Sequence, residues 1–469
     1  MIDTQSIRCS ILKLAFSGKL TDQLNSDEDV DSLLAQISKD GTIRKLESGP
    51  FEIPDSWAWV RLGDLYTINP KVSADDEVEA AFIPMERISA GFERNFTYEI
   101  QNWGKASKNH TRFADGDIAF AKITPCFENR KSFIAEGLPN GIGGGTTELI
   151  ILRQPDILPE YTYYLLLDQR FISEGVGSYK GSVGQQRVQM DVIKDYPIPL
   201  APYSEQVRII DKIKQAFSVL DMIDSMQADY SNNMIVLKSK LIDLAIQGKL
   251  TEQLPEDGSA EELYLQIQEE KQNLIKAGKI KKEKALSEII EDEIPFDIPD
   301  NWKWCRLGSL FNFIDYRGAT PNKISLGVPF VTAKNVRQGY MDYTKKEYIS
   351  KEDYLNRQSR GISKKGDLLF TTEAPMGYAA IADLEEYSAG QRLITLQQFT
   401  KQSLLINKYF MYTISAHFFQ KQLDEKSSGT TVKGIKADRL MSLLIPLPPI
   451  EIQIRIVSML ESLLALVQR

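Results

Sequence analysis

Long phrases of this 469-residue chain occur twice. Ser17-Gly18-Lys19-Leu20-Thr21 returns as Gln247-Gly248-Lys249-Leu250-Thr251, displaced by 230 residues (247 − 17). Phe51-Glu52-Ile53-Pro54-Asp55-Ser56-Trp57 returns as Phe296-Asp297-Ile298-Pro299-Asp300-Asn301-Trp302, displaced by 245 (296 − 51). Ile198-Pro199-Leu200 returns as Ile445-Pro446-Leu447, displaced by 247 (445 − 198), and Gln206 and Arg208 are answered by Gln453 and Arg455. Solenoid repeats run to 20–50 residues, so this is a whole domain with its connector, duplicated. The stretches between the repeated phrases differ, which predicts two different recognition surfaces on one frame.

The connector reads as a long helix. From 204 to about 247, Val207, Ile210, Ile213, Phe217, Leu220, Ile223, Met226, Tyr230, Met234, Leu237, Leu241 and Leu244 recur every three or four residues, an amphipathic or coiled-coil seam. Pro199 and Pro202 precede it, Ser204 is the expected N-cap and Gly248 the expected stop. At 1.5 Å per residue, such a helix is a rod of roughly 66 Å. Its second copy is split between the chain ends: 451–469 matches its first part, and Ile7, Ile11 and Leu14 match Leu237, Leu241 and Leu244. The chain therefore reads as circularly permuted within its own symmetry. The terminal helices are expected nearly end to end, antiparallel to the central rod. After each Gly-Lys-Leu-Thr follows a charged segment, 260–293 in the second copy, expected to be a helix pair turning near Gly278.

The variable regions mix short β-rich runs (Ile118-Ala119-Phe120-Ala121, Leu149-Ile150-Ile151-Leu152, Leu368-Leu369-Phe370) with aromatic helical stretches at 161–171 and 409–419. The expected fold class is α+β: two mixed α/β domains joined by long antiparallel helices. The expected boundaries are 1–50 for an N-terminal helical segment, 51–203 and 295–450 for the variable domains, 204–294 for the helical spacer and 451–469 for the C-terminal helix.

Three scattered cysteines, Cys9, Cys126 and Cys305, suit neither a disulfide framework nor a zinc site, so a cytoplasmic setting is expected. The most apolar stretch, 441–457, is cut by Pro446, Pro448, Pro449 and Glu451, which predicts no membrane span. Ile11 to Phe16 is too short for a signal peptide and holds Lys13. A net charge of −8 disfavours a non-specific nucleic-acid coat but permits a reader with local positive charge.

No catalytic constellation emerges. His110 and His417 lack ligand partners at helical spacing. No phosphate loop occurs, and Gly141-Ile142-Gly143-Gly144-Gly145, which leads into a strand, is expected to be a tight turn. The aromatic tetrapeptide of adenine methyltransferases and the acidic-lysine pattern of nucleases are missing too. A binding subunit is the simplest reading.

Specific DNA binding takes cations for phosphates, with amides, hydroxyls and arginines for base edges. In the first region Lys122, Thr124, Asn129, Arg130 and Lys131 supply these, followed by Lys180, Ser182, Gln185, Gln186 and Arg187. In the second the candidates are Lys334, Asn335, Arg337, Thr371 and Thr372, then Lys426, Ser427, Thr430, Thr431, Lys433 and Lys436. The loops at 180–187 and 426–436 hold equivalent places in their repeats. Both are basic and hydroxyl-bearing with flanking glycines, suited to gripping phosphate through backbone N–H groups.

The pattern Ile-Pro-x-x-Trp-x-Trp-x-Arg-Leu-Gly, the Gly-Asp-hydrophobic-hydrophobic-Phe phrase (116–120, 366–370) and Ile-Pro-Leu-Pro-Pro before a Gln-x-Arg-Ile helix start resemble type I restriction–modification specificity subunits. Thr124-Pro125-Cys126-Phe127-Glu128-Asn129 and Phe82-Ile83-Pro84-Met85-Glu86 are similar to phrases of that family's target-recognition domains. The likeness covers essentially the whole chain. It implies that each variable domain reads half of a bipartite, asymmetric double-stranded DNA target. The helices would set the gap and dock two modification (methyltransferase) subunits, and motor–nuclease restriction subunits would complete the complex. It implies no catalysis, metal or cofactor in this chain: S-adenosylmethionine, ATP and Mg belong to the partners. Half-sites one helical turn apart would lie about 34 Å between centres. The first copy's segment after the helix is 15 residues shorter (245 − 230), so the two docking surfaces need not be equivalent. The competing readings are a coiled-coil scaffold bridging two proteins without touching DNA, and a self-contained restriction–methylation enzyme.

Overall fold

The structure is a computed structural model. It describes all residues except 39–42, 155, 183, 319, 400–403, 430–432 and 468–469. It divides into two compact units, Met1–Asp229 and Tyr230–Arg469. The division falls inside a single 44-residue helix, Tyr203–Ile246. Each variable region is thus grouped with the helical segments that flank it, rather than standing apart from a separate spacer.

The seam predicted from 204 to about 247 is this helix. Its N-terminus is not capped by Ser204, which lies in the first turn. Instead the Glu28 carboxylate accepts from the Ser204 backbone N–H (3.2 Å) and hydroxyl (2.7 Å), placing negative charge at the positive end of the helix dipole. The helix stops at Gly248, where φ is +73°. There the Gly248 N–H reaches the Ala245 carbonyl and the Lys249 N–H reaches that of Leu244, a Schellman turn that needs a left-handed residue.

In the first unit the N-terminal helix Thr4–Ala15 ends in the same turn at Gly18, φ +66°. It packs antiparallel on the first half of the long helix. Ile2 meets Gln227, Thr4 meets Asp224, and Arg8, 3% exposed, bridges Asp221 and Asp224. In the second unit the C-terminal helix Ile450–Val467 buries Ile452, Ile456 and Leu460 in one core with Ala245 and Ile246.

Both units share a two-stranded ribbon and an antiparallel four-stranded sheet, while their other sheet differs in strand order. In the first, a ribbon pairs Ala58–Arg61 with Pro197–Leu200, and a four-stranded antiparallel sheet runs Thr67–Ile68, Leu149–Arg153, Ile118–Ala121, Ser132–Ile134. A second four-stranded sheet runs Glu99–Asn102, Glu79–Ile83, Ile142–Gly145, Thr111–Ala114, with its central pair parallel. The second unit repeats this with Lys303–Arg306 on Leu444–Leu447 and a sheet ordered Phe311–Asp315, Leu393–Gln398, Leu368–Thr372, Met376–Ile381. Its other sheet again holds one parallel pair, Val328–Val331 with Ser388–Ala389.

The repeated phrases are the joints of this frame. A Cβ on Gly18 would lie 2.2 Å from the Pro54 ring, and one on Gly248 2.7 Å from that of Pro299. Arg208 grips the Asp27 carboxylate with both terminal nitrogens (2.7 and 2.6 Å), as Arg455 grips Asp257 (3.2 and 2.6 Å). Gln206 and Gln453 donate to the carbonyls of Ala201 and Pro448, both at 2.9 Å. The buried hydroxyls of Tyr161 and Tyr409 donate to the carbonyls of Pro199 and Pro446.

Two local expectations are corrected. Of the segment 260–293, only Ala260–Lys276 is a long helix. Beyond Gly278 the chain has no helix until the short turn Glu291–Glu293, because buried Arg306 takes the Ser287 and Glu288 carbonyls and the Glu293 carboxylate, which pins it as a strap. Ile142–Gly145 is a central strand, not a tight turn. A Cβ on Gly144 would lie 1.9 Å from the Ala106 carbonyl oxygen, so the glycines let a short helix press on the sheet.

Candidate nucleic-acid interface

The strand that opens with Gly-Asp leads in both units into a platform of three chain-distant segments. In the first, the Lys122 N–H donates to the Glu148 carbonyl (2.9 Å), the Val188 N–H to that of Lys122 (2.9 Å) and the Thr124 N–H to that of Gln186 (2.9 Å). Lys180 and Arg187 pair through reciprocal backbone bonds, and the Gln185 N–H reaches the Ser182 carbonyl. In the second unit the Thr372 N–H donates to the Arg392 carbonyl (2.9 Å), and the Ile435 N–H to that of Thr372 (3.0 Å). There Ser428 and Gly434 exchange the corresponding pair of backbone bonds. The peptides Thr124-Pro125 and Ala374-Pro375 are both cis.

Lys122, Thr124, Lys180, Ser182, Gln185, Gln186 and Arg187 therefore belong to one platform. Lys180, Ser182 and Gln185 are exposed. Arg187 lies along Glu148, with Nε 2.9 Å and a terminal nitrogen 2.7 Å from its oxygens, and holds that carboxylate below its ordinary pKa. The Thr124 hydroxyl donates to Glu128 at 2.6 Å. Of the neighbouring turn, Asn129 is exposed. Arg130 instead donates to the Leu167 carbonyl (2.9 Å) beneath the Phe92 ring, and Lys131 to that of Met85 (2.8 Å).

In the second unit Lys433 and Lys436 are exposed, Lys433 lying 3.1 Å from Asp424. Lys426 reaches the Ser442 hydroxyl at 3.4 Å, and the Ser427 hydroxyl donates to the Asp424 carbonyl. Thr430 and Thr431 lie outside the described residues. Lys334 is exposed, 3.5 Å from Glu347, and Arg337 pairs with Asp342 at 2.9 Å.

Three candidates face inward, a correction to their selection. Asn335 is 3% exposed and donates to the carbonyls of Asp342 and Lys345. Thr371 is fully buried and accepts from the Tyr378 N–H, and Thr372 is 1% exposed. The Asn335 amide and the Thr371 hydroxyl serve the fold's own backbone, the Thr372 hydroxyl is buried without a hydrogen-bond partner among the described residues, and none of the three has surface on which to meet a base.

A cleft of about 410 Å³ adjoins the second platform, lined among others by Arg317, Lys334, Glu373, Gln391 and Arg392. Sequence reasoning missed Arg317, Gln391 and Arg392, and Glu148 in the first unit. The signal available was position: Glu148 and Arg392 each sit immediately before the strand that pairs with the Gly-Asp strand.

This chain belongs to the type I restriction modification DNA specificity family, whose model matches residues 54–224 and 299–468. It is 33% identical to the type I restriction enzyme EcoAI specificity subunit of Escherichia coli, over 98% of this chain and 89% of that protein. Among solved structures, a chain of a type I R-M system superposes with a TM-score of 0.62 at 20% identity, covering 89% of this chain and 93% of that one. The HsdS subunit from Thermoanaerobacter tengcongensis gives 0.52 at 19%, covering 90% and 93%. Among the described residues no helix is long and apolar enough to cross a membrane.

Proposed function

We propose that this chain is the DNA-reading subunit of a cytoplasmic type I restriction–modification complex. Each unit reads one half of a bipartite, asymmetric double-stranded target, and the 44-residue helix they share serves as spacer and as dock for two methyltransferase subunits. Restriction subunits join that assembly. Methyl transfer with S-adenosylmethionine and translocation and cleavage with ATP and Mg take place on those partners, while this chain selects the site.

One observation carries the reading. The same backbone platform is built twice, and it presents different side chains each time: Glu148 with Arg187 in one unit, Arg392 with Glu373 in the other. A frame that keeps its hydrogen bonds while its polar groups change suits two readers of different sequence.

The test is a graft. Residues 51–203 are replaced by the corresponding region of another family member, the chain is assembled with its methyltransferase subunits, and methylated sites are mapped. One half of the target should change while the other half and the gap are retained. A change in both halves, or unchanged methylation, would refute the assignment, and assembly without any DNA binding would favour the bridging scaffold.

A further inference from the structure

Resting on the reading just given, we propose that Arg392 is the specificity-determining residue of the second unit and that it recognises a guanine in that unit's half-site.

The backbone singles out this place. Gln391 and Arg392 are consecutive non-glycine residues at φ +44° and +64°, and Ala374, across the same cleft, is at φ +48°. Left-handed backbone is disfavoured for a residue that bears a side chain, and such residues concentrate at functional sites. No non-glycine residue at the equivalent platform positions of the first unit has positive φ. The left-handed turn is therefore not needed to build the platform, which the first unit makes without it. It sets Arg392 in the lining of the 410 Å³ cleft.

Chemistry favours a base over a phosphate. The Arg392 Nε lies 3.2 Å from a Glu373 carboxylate oxygen, and the Arg392 side chain is half exposed. A carboxylate at that distance opposes an approaching phosphate. It pairs with the Nε side of the guanidinium, leaving the terminal nitrogens as a paired donor. Guanine offers the matching acceptors, O6 and N7, on its major-groove edge. Phosphate neutralisation falls instead to the exposed ammonium groups around it, Lys334, Lys433 and Lys436. At the equivalent position of the first unit stands Glu148, already tied to Arg187, so the same backbone site carries opposite charge in the two units.

The experiment compares wild type, Arg392→Gln and Arg392→Lys in the assembled methyltransferase complex. Each is measured for binding to a library randomised across both half-sites, at several salt concentrations and after thermal melting to check the fold. Arg392→Gln should lower the preference for guanine at one position of one half-site by roughly 10- to 100-fold. The other half-site and the salt slope should be unchanged. Arg392→Lys, lacking the fork, should recover only part of the preference. Glu373→Gln, which loosens a positioning residue, should blunt the same position less than Arg392→Gln does. Uniform weakening on every sequence with a slope reduced by about one would make Arg392 a phosphate contact and overturn the proposal. An unaltered preference profile would also overturn it. Wild type without any sequence preference would instead refute the general function, and this proposal with it.

Discussion

The two units share their joints and differ in what they display. Arg208 with Asp27 and Arg455 with Asp257 are the same clamp, as are Gln206 and Gln453, Tyr161 and Tyr409, Gly18 and Gly248. Strand Leu149–Arg153 corresponds to Leu393–Gln398, and near its end the likeness breaks down. Arg153 holds Asp117 through two bonds of 2.5 and 2.6 Å, whereas Gln397 offers Asp367 a single neutral bond of 2.8 Å. Just before that strand Glu148 is exchanged for Arg392. Duplication thus preserved the helix clamps, where losing one partner strands a nearly buried charge, but changed the partner of the Gly-Asp carboxylate and the groups at the platform.

The largest effects should test the shared clamps. Arg208→Ala and Arg455→Ala each leave a nearly buried aspartate unpaired and should cost roughly 2–4 kcal/mol in urea unfolding. Losses differing by more than about 2 kcal/mol would break the equivalence of the two frames. Because the arginines hold Asp27 and Asp257 below the ordinary carboxylate value, the lost stability is the part present above about pH 4 and lost as pH falls through the lowered values. Next come the glycines. Gly18→Ala and Gly248→Ala should each destabilise by about 2 kcal/mol, Gly18 more, since its Cβ would stand closer to proline.

The Asp117–Asp367 difference makes a pH prediction. Burial raises Asp367 from 3.8 to about 6, with only neutral groups hydrogen-bonded to it. The folded state then binds this proton more tightly than the unfolded chain, so its contribution favours folding at low pH and is lost as pH rises from about 4 through 6. Asp367→Asn should therefore match wild type at pH 4 and exceed it at pH 8 by on the order of 2 kcal/mol. Equal stability at both pH values would count against it. Arg153→Gln, which gives the first unit the second's arrangement, should introduce the same sign of pH dependence there. The smallest effects belong to the rim: Lys180→Ala and Lys433→Ala should weaken all sequences a few-fold and each lower the salt slope by about one. An unchanged slope in either would remove that lysine from the interface.

The long helix was legible because its apolar residues recur every three or four positions for 44 residues, a signal that tertiary packing has no reason to override. The joints were legible as repeated phrases, although nothing in Gln-x-Arg said that the arginine would hold a carboxylate about 180 residues away. The strap after Gly278 was misread because its charge pattern suits a helix, and only Arg306, brought in from the ribbon, takes the carbonyls that a helix would have used. Asn335 and Thr371 carry donors and acceptors that the folded chain consumes internally, and Thr372 is buried. Gln391 and Arg392 were not legible because left-handed backbone leaves no mark where the residues that adopt it are not glycine.

By itself the sequence determined the duplication, the rod and the identity of the frame, because these follow from periodicity and repetition along one dimension. Which polar groups face solvent, which are spent on the fold and which meet across the cleft were decided only by tertiary structure. Those outcomes depend on pairings between residues as distant as Arg187 and Glu148, or Arg392 and Glu373, and a hydrogen bond already made inside the protein is no longer available to a ligand.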